Sequence, residues 1–262
     1  MNMRKYTLKI APELHQFLQD CDYVFGNFEA TLTEETCHQL DQKQDRKIIL
    51  SLAELVAPNK WILSIANNHA GDFGRNICAE SEKLLKEAGF QTLGFKEKQR
   101  LAIQTNLAVT TGTMWSNRLC NYVADLPSID AKLPLSTACE ILYPHWGYEM
   151  ELYPRPNIMS MANSYLQNYT CIVGHHSHVP QPITVVTAEN PKIVAYSLGN
   201  FCSGFNIQKY SYGEVFKADF GFTTSGHWAI GNLDWSFTRC MKMDQTTFQV
   251  SLVNTCAFHP NI

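Results

Sequence analysis

Five times along this chain a short apolar run stops at a knot of polar, chemically capable residues, and this punctuation restricts the fold more than any other feature. Tyr23-Val24-Phe25 runs into Gly26-Asn27-Phe28-Glu29, and Trp61-Ile62-Leu63-Ser64-Ile65-Ala66 runs into Asn67-Asn68-His69. Ile141-Leu142-Tyr143 leads to Pro144-His145-Trp146-Gly147, and Cys171-Ile172-Val173 to Gly174-His175-His176-Ser177-His178. Ile193-Val194-Ala195-Tyr196 ends in Ser197-Leu198-Gly199-Asn200-Phe201. Apolar runs of this length, bounded by Gly, Asn and Pro, suit strands buried on both faces. Helical patterns lie between them. Residues 79–88 place Leu84, Leu85 and Ala88 on one face and stop at Gly89, a good residue to close a helix. Residues 12–18 and 158–166 also read as helices. Strands alternating with helices predict an α/β layered fold. In such sheets ligands gather beyond the carboxyl ends of the strands, where all five polar clusters would sit.

From about Tyr212 the pattern changes to short alternating segments at 216–220, 233–239 and 248–253, which predict antiparallel strands joined to the same body. No repeat, low-complexity tract or Gly/Ser linker divides the chain, so 1–262 reads as one domain. The 21 Lys and Arg against 24 Asp and Glu, with no basic run, argue against nucleic acid as the main partner. The length suffices to bury a core without disulfides or a structural metal. The cysteines are odd in number, scattered and never spaced as CxxC. They read as reduced buried thiols of a cytoplasmic protein. Residues 1–14 carry no apolar run behind their basic residues, so no signal peptide is expected. No segment has the ~18 apolar residues of a transmembrane helix.

Histidine is where the chemistry concentrates. His69, His145, His175, His176 and His178 fall in three of the five clusters, whereas His15, His38, His227 and His259 read as surface residues. Imidazole is the commonest side-chain ligand for transition metals. His176 and His178 have the spacing that puts two rings on one side of a strand. A lone strand-end histidine is more often a hydrogen-bonded core residue, but three in four positions point to a metal or to catalysis. Asn67-Asn68-His69 alone would suit a turn or a helix cap. An Asn oxygen can also ligate a metal, with His69 beside it as a proton donor oriented by Asp72. Glu29 is either a solvent-facing carboxylate or the anionic oxygen that hard and borderline divalent ions prefer. Glu149 accompanies His145, and Trp146 beside it is a wall of the site or simple packing. No GxSxG elbow, GxxxxGK[ST] loop or GxGxxG competes, and no cysteine has an obvious activating partner.

In this order the clusters resemble the CapA-like poly-gamma-glutamate capsule-synthesis proteins of the calcineurin-like metallophosphoesterase superfamily. The matching residues are Gly26-Asn27-Phe28-Glu29, Asn67-Asn68-His69 with Asp72 and Gly74, and His145-Trp146-Gly147 with Glu149. The match continues through Gly174-His175-His176-Ser177-His178-Val179 and Tyr196-Ser197-Leu198-Gly199-Asn200-Phe201. The resemblance implies a four-layer α/β/β/α metallophosphoesterase-like sandwich with a metal centre at the strand ends. It implies Asn68, His145, His176 and His178 as metal ligands, Glu29 as a bridging carboxylate, and His69 with Asp72 as the acid. Asn27, Glu149, His175, Ser197 and Asn200 would stand on the substrate side.

The sequence departs from the family at its start. A strand ending in Gly-Asp normally precedes the Asn-x-Glu motif, and the 25 residues before Gly26 contain no Gly-Asp. Either the chain is a shortened form of a longer product, or one strand and one ligand are lost. The cofactor expected is a divalent Mn, Fe or Zn, in one or two ions, with one well-held ion on Asn68, His145 and His176 the direct consequence of that loss. The activity implied is hydrolysis of a phosphorylated or polyanionic polymer by a metal-activated water. Two alternatives are a non-catalytic partner in a capsular polymer synthesis or export complex, and an amide hydrolase acting on a glutamyl polymer.

Overall fold

A computed structural model of the chain describes residues 7–36, 38, 40–130, 139–186, 191–203 and 207–256. His259 and Cys37 lie outside the described residues, and the other eight cysteines are free thiols. The chain opens with β1 (Thr7–Ile10), α1 (Pro12–Leu18) and β2 (Val24–Asn27), then two short strands, β3 (Thr31–Leu32) and β4 (Lys43–Gln44). There follow α2 (Ile48–Leu55), β5 (Trp61–Ser64), α3 (Gly74–Glu87) and β6 (Gln91–Leu93). Next come β7 (Arg100–Gln104), β8 (Leu107–Thr113), β9 (Cys139–His145), α4 (Pro156–Tyr165) and β10 (Cys171–Val173). The last strands are β11 (Ile183–Val186), β12 (Lys192–Ala195), β13 (Tyr212–Phe222), β14 (Trp228–Lys242) and β15 (Thr247–Val253). The fold is mixed α/β with several sheets and helices. None of its described helices is long and apolar enough to cross a membrane.

Three sheets carry the architecture. The first is parallel, in the order β2-β5-β6. The second has six strands in the order β11-β12-β10-β9-β8-β7, with its inner strands parallel and its two edges antiparallel. Alternation along the inner strands decides what each face meets. Ile141 and Tyr143 of β9, with Cys171, Val173, Ile193 and Ala195, join Ile62 and Leu93 of the first sheet in one core. The residues between them, Leu142, Ile172 and Val194, pack with Ile158, Ala162 and Tyr165 of α4, which recur at helical spacing. The other face of the first sheet, through Trp61 and Leu63, packs against α1, α2 and α3. Ser64 Oγ and Thr111 Oγ1, 2.7 Å apart, tie β5 to β8 across the buried gap between the two sheets.

The expected helices form. Residues 79–87 belong to a helix that starts earlier, at Gly74, with Ala88 as its cap, and Gly89 beyond has φ +93°, as a closing glycine should. The C-terminal strands are antiparallel as expected, and β1 joins their sheet in the order β1-β15-β14-β13. One expectation needs correction. β2 is half-buried along its whole length, not buried on both faces. Among the described residues it has β5 on one side and no strand on the other, because β1 pairs in parallel with β15 instead. β2 thus borders a cleft of about 960 Å³, whose far wall includes Phe216 and Phe220 of β13.

Candidate metal centre

The parallel strands β2, β5, β9, β10 and β12 all deliver their carboxyl ends to one edge, and each of the five clusters follows directly from one of them. His145 is the last residue of β9 and is fully buried. Its backbone bridges to His175, so the two strands stay paired two residues beyond β10. Their rings meet as well, with Nδ1 to Nδ1 at 2.7 Å. On its other side His145 Nε2 lies 2.9 Å from Asn68 Oδ1. Asn68 is placed by its neighbour. Asn67 donates from Nδ2 to Phe28 O at 3.1 Å and to Asn27 Oδ1 at 3.2 Å, while its own oxygen accepts from His69 N at 3.1 Å. Asn67 therefore staples the β5 loop to the β2 loop. Asn27 in turn donates to Glu29 Oε2 at 2.8 Å, leaving Oε1 free of hydrogen bonds.

His176 and His178 arrive by a different route from the one the spacing suggested. Both lie past the end of β10, and their φ values of +112° and +60° are left-handed. Strand periodicity does not apply there. Strained backbone is what aims His176 at His145, ring centroids 4.5 Å apart. His176 and His178 are 6.2 Å apart. His178 stands at the rim, its Nδ1 2.9 Å from Asn200 Oδ1 and its Nε2 4.0 Å from Glu29 Oε1.

Glu29, His145 and His176 each offer a ligand atom, and these atoms all lie within 4.8 Å of one another. Two buried atoms of this group, Glu29 Oε1 and His176 Nδ1, have no hydrogen-bond partner. Buried polar groups in that state are costly unless something else satisfies them. The His145–Asn68 contact is an ordinary hydrogen bond in one tautomer of His145, donated from Nε2, and admits a cation in the other. The His145–His175 bond allows two tautomers, and in the one where His145 donates from Nδ1, a bare Nε2 faces the Asn68 oxygen. Two lone pairs at that separation repel unless a cation lies between them. Donors held at right angles on one ion at ~2.1 Å are about 3 Å apart, which fits the observed spacing. The mixed N and O donor set suits Mn, Fe or Zn.

Electrostatics favour uncharged imidazoles here. Burial, then the neighbouring imidazoles, hold His145 well below its ordinary 6.5 and bring His175 and His176 down to about 3. Neutral rings are the ligating form. Burial raises the Glu29 carboxyl, against the pull of His178 and His69. A cation would reverse that penalty.

The remaining sequence candidates divide. His69 Nδ1 is 2.7 Å from Asp72 Oδ2, a buried dyad beside Asn68, and Asp72 also accepts from Gln42 N at 2.8 Å. Asn200 positions His178 and donates from Nδ2 to Tyr210 O at 2.9 Å. Ser197 is buried, and its hydroxyl accepts from Gly199 N at 3.2 Å, a turn contact. Glu149 is exposed and near enough to Glu29 to add to the rise of its carboxyl. Trp146 is packing: it is buried against α4 and donates from Nε1 to Tyr196 O at 3.0 Å. The loop after β8 was missed altogether. Trp115 stands edge-on to His176 at 5.2 Å, and Asn117 touches both Asn68 and His69. β8 too is an apolar run ending in a polar knot, disguised by Thr110, Thr111 and Thr113 within it.

Comparison with known proteins follows the same residues. The family model described as "Bacterial capsule synthesis protein PGA_cap" matches residues 4–123 and 121–205. The chain is 28% identical over 214 residues to the capsule biosynthesis protein CapA of Bacillus anthracis, covering 71% of this chain and 51% of that protein. It is 30% identical over 209 residues to the PGA biosynthesis protein CapA of Bacillus subtilis (strain 168), covering 69% of this chain and 53% of that one. The chain thus spans about half the length of these relatives. Among solved structures, a hypothetical protein from Thermus thermophilus aligns with a TM-score of 0.49 at 13% identity, over 88% of this chain and 96% of that one. The matched stretch takes in all five strand-end clusters, and the chain belongs to the bacterial capsule synthesis protein family PGA_cap.

Proposed function

We propose that this chain is a metal-dependent phosphoesterase-like hydrolase, its divalent cation held by Glu29, Asn68, His145 and His176 at the strand ends of a four-layer α/β/β/α sandwich. The observation that carries this reading is that Glu29, His145 and His176 offer ligand atoms within 4.8 Å of one another, and that two of these residues hold a buried atom without a hydrogen-bond partner, Glu29 Oε1 and His176 Nδ1. When bound, a divalent ion supplies Lewis-acid charge and brings water within reach of deprotonation near neutral pH.

The protein's own residues do the rest. His69 donates from Nδ1 to Asp72, which keeps Nε2 as the atom that gives a proton to the departing oxygen. Asp72 is in turn fixed by the Gln42 amide, so the dyad enters the reaction already oriented. His178, steadied by Asn200, stands on the Glu29 side with Nε2 toward the cleft and binds the phosphoryl oxygens. The substrate class is a phosphorylated or polyanionic polymer, in keeping with relatives named for capsule and PGA biosynthesis.

A second reading has one observation in its favour. Glu29 is the only carboxylate in the ligand group found among the described residues, which is little negative charge for a hydrolytic centre. On that reading the chain is a non-catalytic component of a capsular polymer synthesis or export complex. Purification without chelator, metal analysis, and assay on a generic phosphodiester separate the two. Bound metal with turnover that falls in His69→Gln supports the hydrolase. Bound metal with no turnover supports the scaffold.

A further inference from the structure

The loop that the sequence reading passed over is stitched to the centre at several points. Thr113 Oγ1 donates to Trp115 O at 2.7 Å, and Met114 N donates to His145 O at 3.0 Å. Asn117 N donates to Asn68 O at 2.9 Å, a carbonyl that Ser116 Oγ also reaches at 3.5 Å. Arg118 closes the loop with an ion pair to buried Asp41 at 2.5 Å. This anchoring holds the exposed Asn117 side chain over two residues of the centre.

The Asn117 amide joins them in one chain of contacts. Its Oδ1 accepts from Asn68 Nδ2 at 3.3 Å, and its Nδ2 lies 3.4 Å from both ring nitrogens of His69. His69 Nδ1 is bonded to Asp72, and Asn117 Nδ2 packs against the ring at equal distance from its two nitrogens. With its nitrogen against the His69 ring, Asn117 presents its oxygen to Asn68. Asn68 must then present its nitrogen to Asn117 and its oxygen to His145. An amide has two faces that differ only in which atom accepts, and here each amide in the row fixes the next.

We infer that Asn117 is a positioning residue: through its amide contacts it turns the Asn68 oxygen toward His145 and holds the His69 ring. The effect on an ion rests on the metal reading above. The positioning of Asn68 does not. A partner that orients a ligand in this way is commonly worth 10–100-fold in metal affinity.

Two measurements on the full chain decide it. The first uses chelator-treated protein and records the side-chain amide signals of Asn68 and the ring nitrogens of His69 by NMR. Asn117→Leu, of similar size without polar atoms, should move both sets, and Asn117→Ala serves if the Leu variant misfolds. Unmoved signals overturn the inference whether or not an ion binds. The second titrates Mn²⁺ alone into the same proteins. The variant should bind about 10-fold more weakly or worse, with an unchanged melting temperature before metal is added. Equal affinity in a variant whose Asn68 signals have moved overturns the link to the ion. A wild-type chain that takes up no Mn²⁺ contradicts the proposed function, and the NMR result alone then decides the role of Asn117.

Discussion

At the scale of single residues, the centre is built from side chains whose partners are already chosen. His69 and Asp72 are the clearest pair, and replacing His69 by Gln should lower turnover by roughly 10²–10⁴-fold while leaving metal content intact, because His69 is outside the ligand group. Stopped assays with parallel metal analysis check both halves. Their three-residue spacing made the dyad legible from sequence, since a turn of that length brings the two side chains together. The same reasoning failed for His176 and His178. Their rings converge through left-handed φ angles at non-glycine residues, which a string of letters does not announce. Asn117 was invisible for another reason: it is exposed, and it acts on residues 48 and 49 positions away.

Among the elements, β9 and β10 do most to position the candidate ligands, and Gly174 is the point on which their geometry turns. A Cβ there would fall inside contact distance of Tyr196 O and Trp146 Nε1, two atoms bonded to each other. Gly174→Ala should therefore destabilise the protein by about 1–3 kcal/mol or more, read by chemical denaturation. β9 is also held to the sheet edge by Arg100 of β7, which pairs with buried Glu140 through two contacts of 2.5 and 3.2 Å. Arg100→Ala leaves that carboxylate without its partner, at an expected cost of about 2–3 kcal/mol given the partial exposure of Arg100. The apolar inner strands were plain in sequence. The edges were not: β7 and β8 form a hairpin turned by Asn106 at φ +66°, and β1 finds its partner β15 some 240 residues downstream. A pairing over that distance leaves no local pattern to read.

For the molecule as a whole, two couplings follow. Binding of an ion to the folded chain alone should raise stability, by about 2.7 kcal/mol when the free ion is 100-fold above its Kd. Chelator should lower the melting temperature of protein purified with metal. The second coupling is to pH. Burial in the wall of the cleft pushes Glu214 up to about 8 from an ordinary 4.5. The folded state then holds a proton that the unfolded state gives up, so the contribution of Glu214 to stability is greatest below about 4.5 and is lost as pH rises toward about 8, whereas the buried neutral histidines act in the opposite sense below about 6.5. Glu214→Gln should remove this slope, raising the melting temperature by a few degrees at pH 9 and little at pH 5.

The central claim is that four side chains from separate strand ends cage one cation, and anomalous diffraction from crystals equilibrated with Mn²⁺ tests it most directly. The account predicts an anomalous peak within bonding distance of Glu29, Asn68, His145 and His176. No peak at saturating Mn²⁺, or a peak elsewhere with those four side chains bonded only to one another, would contradict it.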